Sequence, residues 1–132
     1  MGMKLTIVVP HYKESWEECK FLFDSINLQH GIDFNDFDVL VVNDGDDVVF
    51  DKSSWDGYKY KVNYVVKPHG GLSDTRNYGI EHGDSEYVMF CDSDDGFVSN
   101  YGLHLVFSAI QEGFDFLNST FVEEQPQGKG WK

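Results

Sequence analysis

The chain has 132 residues, of which 41% are apolar and 16% aromatic. This suits one compact domain with its own core and is too apolar for a disordered acidic tail. Acidic residues outnumber basic ones 23 to 10, a formal charge of -13 that would repel phosphates and speaks against nucleic acid or anionic membrane as direct partners.

The longest apolar runs, residues 7–10 and 39–42, fall far short of the roughly 20 residues of a membrane span, which is the pattern of a soluble, cytoplasmic protein. Residues 1–6 match a myristoylation pattern, but they lead straight into an apolar strand and are read as coincidence. Asn118-Ser119-Thr120 matches a glycosylation sequon without a secretion signal ahead of it.

In chain order, residues 5–9 form an apolar run closed by Pro10, which predicts a first buried strand. Ser15-Trp16-Glu17-Glu18 is a capping box, and Trp16, Cys19, Leu22, Phe23 and Ile26 behind it fall on one helical face. Residues 37–42 are apolar on both faces and predict a central parallel strand, ended by the turn Asn43-Asp44-Gly45. A polar loop around residues 53–57 precedes the alternating Tyr60, Val62, Tyr64 and Val66 of a third strand. After Pro68-His69-Gly70-Gly71 the pattern predicts a short helix over 73–81, with Arg76 in its first turn and Gly83 as its cap. Residues 87–91 predict a fourth buried strand, residues 100–112 a helix stopped by Gly113, and residues 114–122 a last strand. The tail, residues 123–132, reads as a linker or cut end, so the domain is placed at 1–122. Strands alternating with helices predict an α/β fold: an open, mostly parallel sheet with helices on both faces.

In such sheets ligands bind beyond the carboxyl ends of the strands. That rule selects Pro10, His11, Tyr12 and Glu14 after the first strand, Asn43, Asp44 and Asp46 after the second, and Asp92, Ser93, Asp94 and Asp95 after the fourth. Asp-x-Asp occurs three times in a chain with fifteen aspartates, so context must separate the copies. Asp36 and Asp38 lead into a strand, whereas Asp92 and Asp94 follow one, where both carboxylates can reach a single cleft. Hard oxygen ligands on an open site suit Mg2+ or Mn2+, which take their remaining ligands from water and a substrate phosphate. An EF-hand is excluded, because the twelfth residue from Asp92 is Leu103 instead of Glu. Two like charges about 4 Å apart cost roughly 4 kcal/mol at an effective dielectric near 20, so a diphosphate needs a screening cation to approach this cleft. Arg76, the only arginine, can bridge a carboxylate and a phosphate. Tyr12 offers a flat face for a base and Asp44 an acceptor for an imide or ribose donor. The five histidines lack metal-ligand spacing and read as surface or packing residues, and Cys19 and Cys91 read as reduced small hydrophobes.

Four segments, residues 4–14 (KLTIVVPHYKE), 41–46 (VVNDGD), 70–79 (GGLSDTRNYG) and 86–96 (EYVMFCDSDDG), stand in the order and spacing of the GT-A-type glycosyltransferase family 2, which the chain resembles from Lys4 to about Val122. The resemblance implies a GT-A fold and a nucleotide-sugar site, most often for a UDP-sugar. It implies that Pro10, Tyr12 and Glu14 line the nucleoside pocket, that Asp44 contacts the base, and that Arg76 orders the phosphate region. It further implies that Asp92 lies near the ribose and sugar, while Asp94 holds the metal that bridges the diphosphate, with Asp92 assisting; Ser93 between them is counted with the donor-binding residues. Two departures stand out. Asn43 replaces the first of two aspartates, and no residue matches the family's general base, which belongs to an acceptor-binding half beyond the last residue here. Glu123 and Glu124 read as solvated tail charges.

The reading that follows is a glycosyltransferase, or its donor-binding half, transferring a sugar with inversion to a hydroxyl acceptor on a glycan, lipid-linked carrier or protein. The competing reading is a non-catalytic nucleotide-sugar-binding module that needs a partner. A phosphatase of the haloacid dehalogenase type fits poorly, because the glycine after Asp-x-Asp comes one residue late and the motif lies mid-chain. An apolar edge at residues 114–122 would favour a homodimer.

Overall fold

The computed structural model describes residues 4–83, 85–97, 99–113 and 122–124. Its elements are β1 (Leu5–His11), α1 (Trp16–Asn27), β2 (Phe37–Asn43), a 3-10 turn (Lys52–Trp55), β3 (Lys61–Val66), α2 (Leu72–His82), β4 (Tyr87–Phe90), β5 (Asp95–Phe97), α3 (Gly102–Gln111) and β6 (Val122–Glu124). Four strands form a parallel sheet in the order β3-β2-β1-β4, and β5 pairs antiparallel with β6.

Side chains alternate across β1 and β2, and both sheet faces are covered. Leu5, Ile7 and Val9 of β1 and Phe37, Val39 and Val41 of β2 join Cys19, Leu22, Phe23 and Ile26 of α1 and Leu103 and Val106 of α3 in the larger core. Val8, Leu40 and Val42 face the other way, against Tyr78 of α2 with Val65, Val88 and Phe90. Burying each of these side chains contributes about 1.5–3 kcal/mol. The expected α/β architecture, with helices on both faces and β2 inside the sheet, is what forms. The capping box also forms, with Ser15 Oγ accepting from the Glu18 N–H at 3.2 Å and Glu18 Oε1 accepting from the Ser15 N–H at 3.0 Å.

The structure differs from the sequence reading in several places. Pro10 does not end β1, which pairs with β2 through His11. Pairing with β4 stops at Val8, so the N–H that proline lacks falls on a side with no ladder left to join. The loop expected at 53–57 begins inside a 3-10 turn that buries Trp55 among Trp16, Phe23, Phe50 and Tyr64. That aromatic cluster assembles from distant segments, so no local pattern announces it. The strand expected to be buried, β4, is half-buried at each of its four residues. Among the described residues it pairs only with β1, and it sits at the sheet edge. Glu123 and Glu124, read as tail, lie in β6 opposite Gly96 and Asp95, so the boundary placed at 122 falls inside a strand. The rest of the strand expected at 114–122, its predicted dimer edge, the sequon and residues 125–132 lie outside the described residues. Among the described residues, no helix is long and apolar enough to cross a membrane. Both cysteines are free and buried. Burial, helped by the Glu14 carboxylate, pushes the Cys19 thiol up to about 12, so it is an unreactive packing group.

Candidate functional site

The carboxyl ends of β1, β2 and β4, with the loop after β3, enclose a pocket of about 270 Å³. Its wall carries Pro10, His11, Tyr12 and Glu14 from β1 and its loop, Asp44 from β2, His69, Gly71, Leu72 and Thr75 from the β3–α2 segment, and Asp92, Ser93 and Asp94 from β4. Pro10, Tyr12, Glu14, Asp44, Asp92, Ser93 and Asp94 were all selected from the sequence, and the fold brings them together. Arg76 does not line the wall. It stands behind Asp92, with Nη2 3.5 Å from Asp92 Oδ1 and the guanidinium 5.7 Å from the Phe90 ring centre. Because α2 starts at Leu72, Arg76 is its fifth residue and lies past the first turn where the sequence placed it. Its Nε is buried without a partner, so this cation is not fully satisfied by the protein.

Asp44 is the centre of the other end. Its Oδ1 accepts from Lys67 Nζ at 2.7 Å and from the Gly70 N–H at 2.9 Å. Its Oδ2 accepts from the Gly71 N–H at 3.0 Å and lies 3.0 Å from His69 Nδ1. Burial pushes this carboxyl up, but the Lys67 hydrogen bond and the two glycine amides outweigh it and hold the group at about 2. Lys67 itself is buried and also reaches Asp74 Oδ2 and the Pro68 carbonyl, both at 2.6 Å. The sequence reading missed Lys67. The available signal was a lone lysine directly after an apolar strand and ahead of a Gly-Gly turn.

The turn after β2 is held by Asn43, which is fully buried. Its Nδ2 donates to the Tyr64 hydroxyl at 3.0 Å and the Val48 carbonyl at 3.2 Å, while its Oδ1 accepts from the Asp46 N–H at 2.7 Å. An aspartate could not donate to the Val48 carbonyl, and the departure at 43 therefore falls on the turn and not on the pocket wall. Asp46 accepts from the Lys13 N–H at 2.8 Å; burial pushes its carboxyl up, but this bond and one from Val48 hold it below the usual range. Lys13, in turn, has a left-handed backbone with φ 79. Glu14 Oε1 accepts from the Tyr12 N–H at 3.0 Å, and the Glu14 carbonyl accepts from His11 Nε2 at 2.7 Å. The Tyr12 loop is thus shaped by its own short-range contacts together with the long-range bond from Lys13 to Asp46.

His11 is a fully buried packing residue against Phe50 whose Nδ1 lacks a partner, and it reaches the pocket wall, as both of its sequence readings expected. His69, read as a surface or packing residue, needs correcting: it lines the pocket, and its ring stacks on Tyr12 with centroids 4.5 Å apart and planes at 23°.

Among the described residues no group of three or more His, Cys, Asp or Glu gathers as a protein-only metal cage. The donor set at this end is two carboxylates, Asp92 and Asp94, on an open wall. Such a set fits Mg2+ or Mn2+ completed by waters and a phosphate, and does not fit zinc or calcium.

Comparison with known proteins assigns this architecture. The fold is that of the GT-A glycosyltransferases: it superposes on S. aureus TarS 1-349 in complex with UDP with a TM-score of 0.70 at 25% identity, over 83% of this chain and 32% of that one. The complex of the same protein with UDP-GlcNAc gives 0.69 at 26% identity, over 83% and 32%. The model of glycosyl transferase family 2 matches residues 6–132, and the chain belongs to that family. Curated relatives include glycosyltransferase GlyA of Streptococcus pneumoniae, 32% identical over 74% of this chain and 14% of the relative. The minor teichoic acid biosynthesis protein GgaB of Bacillus subtilis is 31% identical over 68% and 10%. The aligned region spans between 10% and 34% of the length of the curated relatives.

Proposed function

We propose that this chain is the donor-binding part of a glycosyltransferase, taking a UDP-sugar with a divalent cation and transferring the sugar with inversion to a hydroxyl acceptor, in the cytoplasm. The observation that carries the reading is the convergence of Tyr12, Asp44, Asp92 and Asp94 on one pocket wall. Tyr12 supplies a ring face for the base and Asp44 a fixed anion for an imide N–H. Asp92 and Asp94 would hold Mg2+ or Mn2+. When bound, the cation supplies Lewis-acid stabilisation of the charge on the leaving diphosphate. Arg76, with its unpaired Nε and loose contact to Asp92, is placed to turn toward a phosphate oxygen. The choice of uridine is supported by the family resemblance and by the UDP and UDP-GlcNAc complexes of the similar TarS.

Calorimetric titration with UDP, GDP and their sugar conjugates, with and without Mn2+, tests this. The expected result is heat with UDP compounds that appears only with the cation. Equal binding without the cation overturns the metal assignment, and no nucleotide binding overturns the site. Sugar transfer or donor hydrolysis lost in Asp94→Ala supports the enzyme, whereas donor binding without turnover assigns a non-catalytic module.

A further inference from the structure

His69 engages both groups that the proposed site offers to a nucleobase. Its imidazole covers a face of Tyr12 at 4.5 Å, and its Nδ1 lies 3.0 Å from both the Asp44 carboxylate Oδ2 and the Asp44 carbonyl. Two acceptors flank that nitrogen, so Nδ1 carries the proton and donates. A carboxylate has about four acceptor positions; on Asp44 three donors fill three of them, Lys67 Nζ and the Gly70 and Gly71 amides, and His69 Nδ1, hydrogen-bonded to the Asp44 carbonyl, stands 3.0 Å from Oδ2. They are not equally removable. The amides belong to the backbone at the start of α2, and the Lys67 side chain is only 8% exposed, whereas that of His69 is 56% exposed. A flat ring laid on the covered face of Tyr12 must therefore displace His69, and so must a ligand N–H that approaches Asp44 Oδ2 from the side where the imidazole stands.

We propose that His69 is an internal stand-in for the nucleobase: its imidazole covers the Tyr12 shelf and crowds the approach to Asp44 Oδ2, and a base enters only as it swings away. This rests on the donor-site reading above and adds a competitor built into the chain. Since Gly70 and Gly71 stay anchored on Asp44, the motion is a rotation of one side chain and not an opening of the loop. The apparent affinity for the donor is lowered by the fraction of molecules in which the shelf is closed.

The test is calorimetric titration of UDP with Mn2+ into the 132-residue chain and its His69→Ala variant. The variant is expected to bind about tenfold more tightly, as when the open arrangement is about a tenth of the population. His69→Phe, which refills the shelf, is expected to bind no more tightly than the unaltered chain. Independently, the ring protons of His69 in the unaltered chain are expected to lose the upfield NMR shift imposed by Tyr12 when UDP saturates it. Equal or weaker binding by His69→Ala, or ring protons that do not move, overturns the stand-in while leaving the donor site intact. Failure of both proteins to bind any nucleotide overturns the donor site and the stand-in with it.

Discussion

At one end of the pocket the Asp44 side chain is 5% exposed and its carboxylate met by three donors, while at the other the Asp92 side chain is 53% exposed and its arginine partner is 3.5 Å away. The first end is organised by the protein before any ligand arrives. The second leaves charge and hydrogen-bonding capacity unspent on both the anion and the cation. The contrast teaches how an acidic protein can handle an anionic ligand. The Asp44 carboxylate, which shapes the loop after β3, is neutralised internally, and on the reading proposed above the exposed Asp92 is kept for a cation.

Breaking the organised end should cost the most stability. Lys67→Met removes the partner of two carboxylates, one of them buried, and is expected to destabilise the fold by about 3 kcal/mol in urea denaturation. A loss under about 1 kcal/mol would show that the glycine amides suffice. The pH dependence sharpens the same point. Asp44 is held at about 2 against an ordinary 3.8, so its contribution is complete above 3.8 and is lost as pH falls through about 2. The stability gap between the unaltered chain and Asp44→Asn should accordingly be constant near neutrality and close in that acid window. A gap that stays constant down to pH 2 removes the assignment.

The open end predicts the opposite pattern. Asp94→Ala is expected to weaken Mn2+-dependent UDP binding about a hundredfold, or about 2.7 kcal/mol, read by calorimetry with the melting temperature followed alongside. A large fall in stability would mean that this end, too, is structural. Gly45→Ala tests whether the Asp44 turn and the His69 segment form one unit. Gly45 has φ +80, and a Cβ there would lie 2.6 Å from the His69 backbone nitrogen, so about 2 kcal/mol of destabilisation is expected. The smallest effect belongs to Arg76→Lys. Its contact with Asp92 is exposed, so stability should change by under about 1 kcal/mol, with a roughly threefold loss of UDP affinity read by calorimetry.

What could be read from the sequence was whatever depends on neighbours in the chain. Apolar runs ending in polar turns placed Tyr12, Asp44, Asp92 and Asp94 at strand ends, and a parallel sheet necessarily gathers strand ends along one edge. The capping box at Ser15 was legible for the same local reason. Trp55, Lys67 and His69 were not. Their roles come from partners far along the chain: 23 residues separate Lys67 from Asp44, and 25 separate His69 from Asp44.

The sequence by itself determined the alternation of strands and helices and the residues delivered to the pocket, because periodicity and turn chemistry act over a few residues. Only the tertiary structure decided which carboxylate is buried among donors, Asp44, and which stands exposed, Asp92. Pairing and burial depend on which strands become neighbours, and that is settled when β3 docks against β2 and sets Lys67 and His69 beside Asp44.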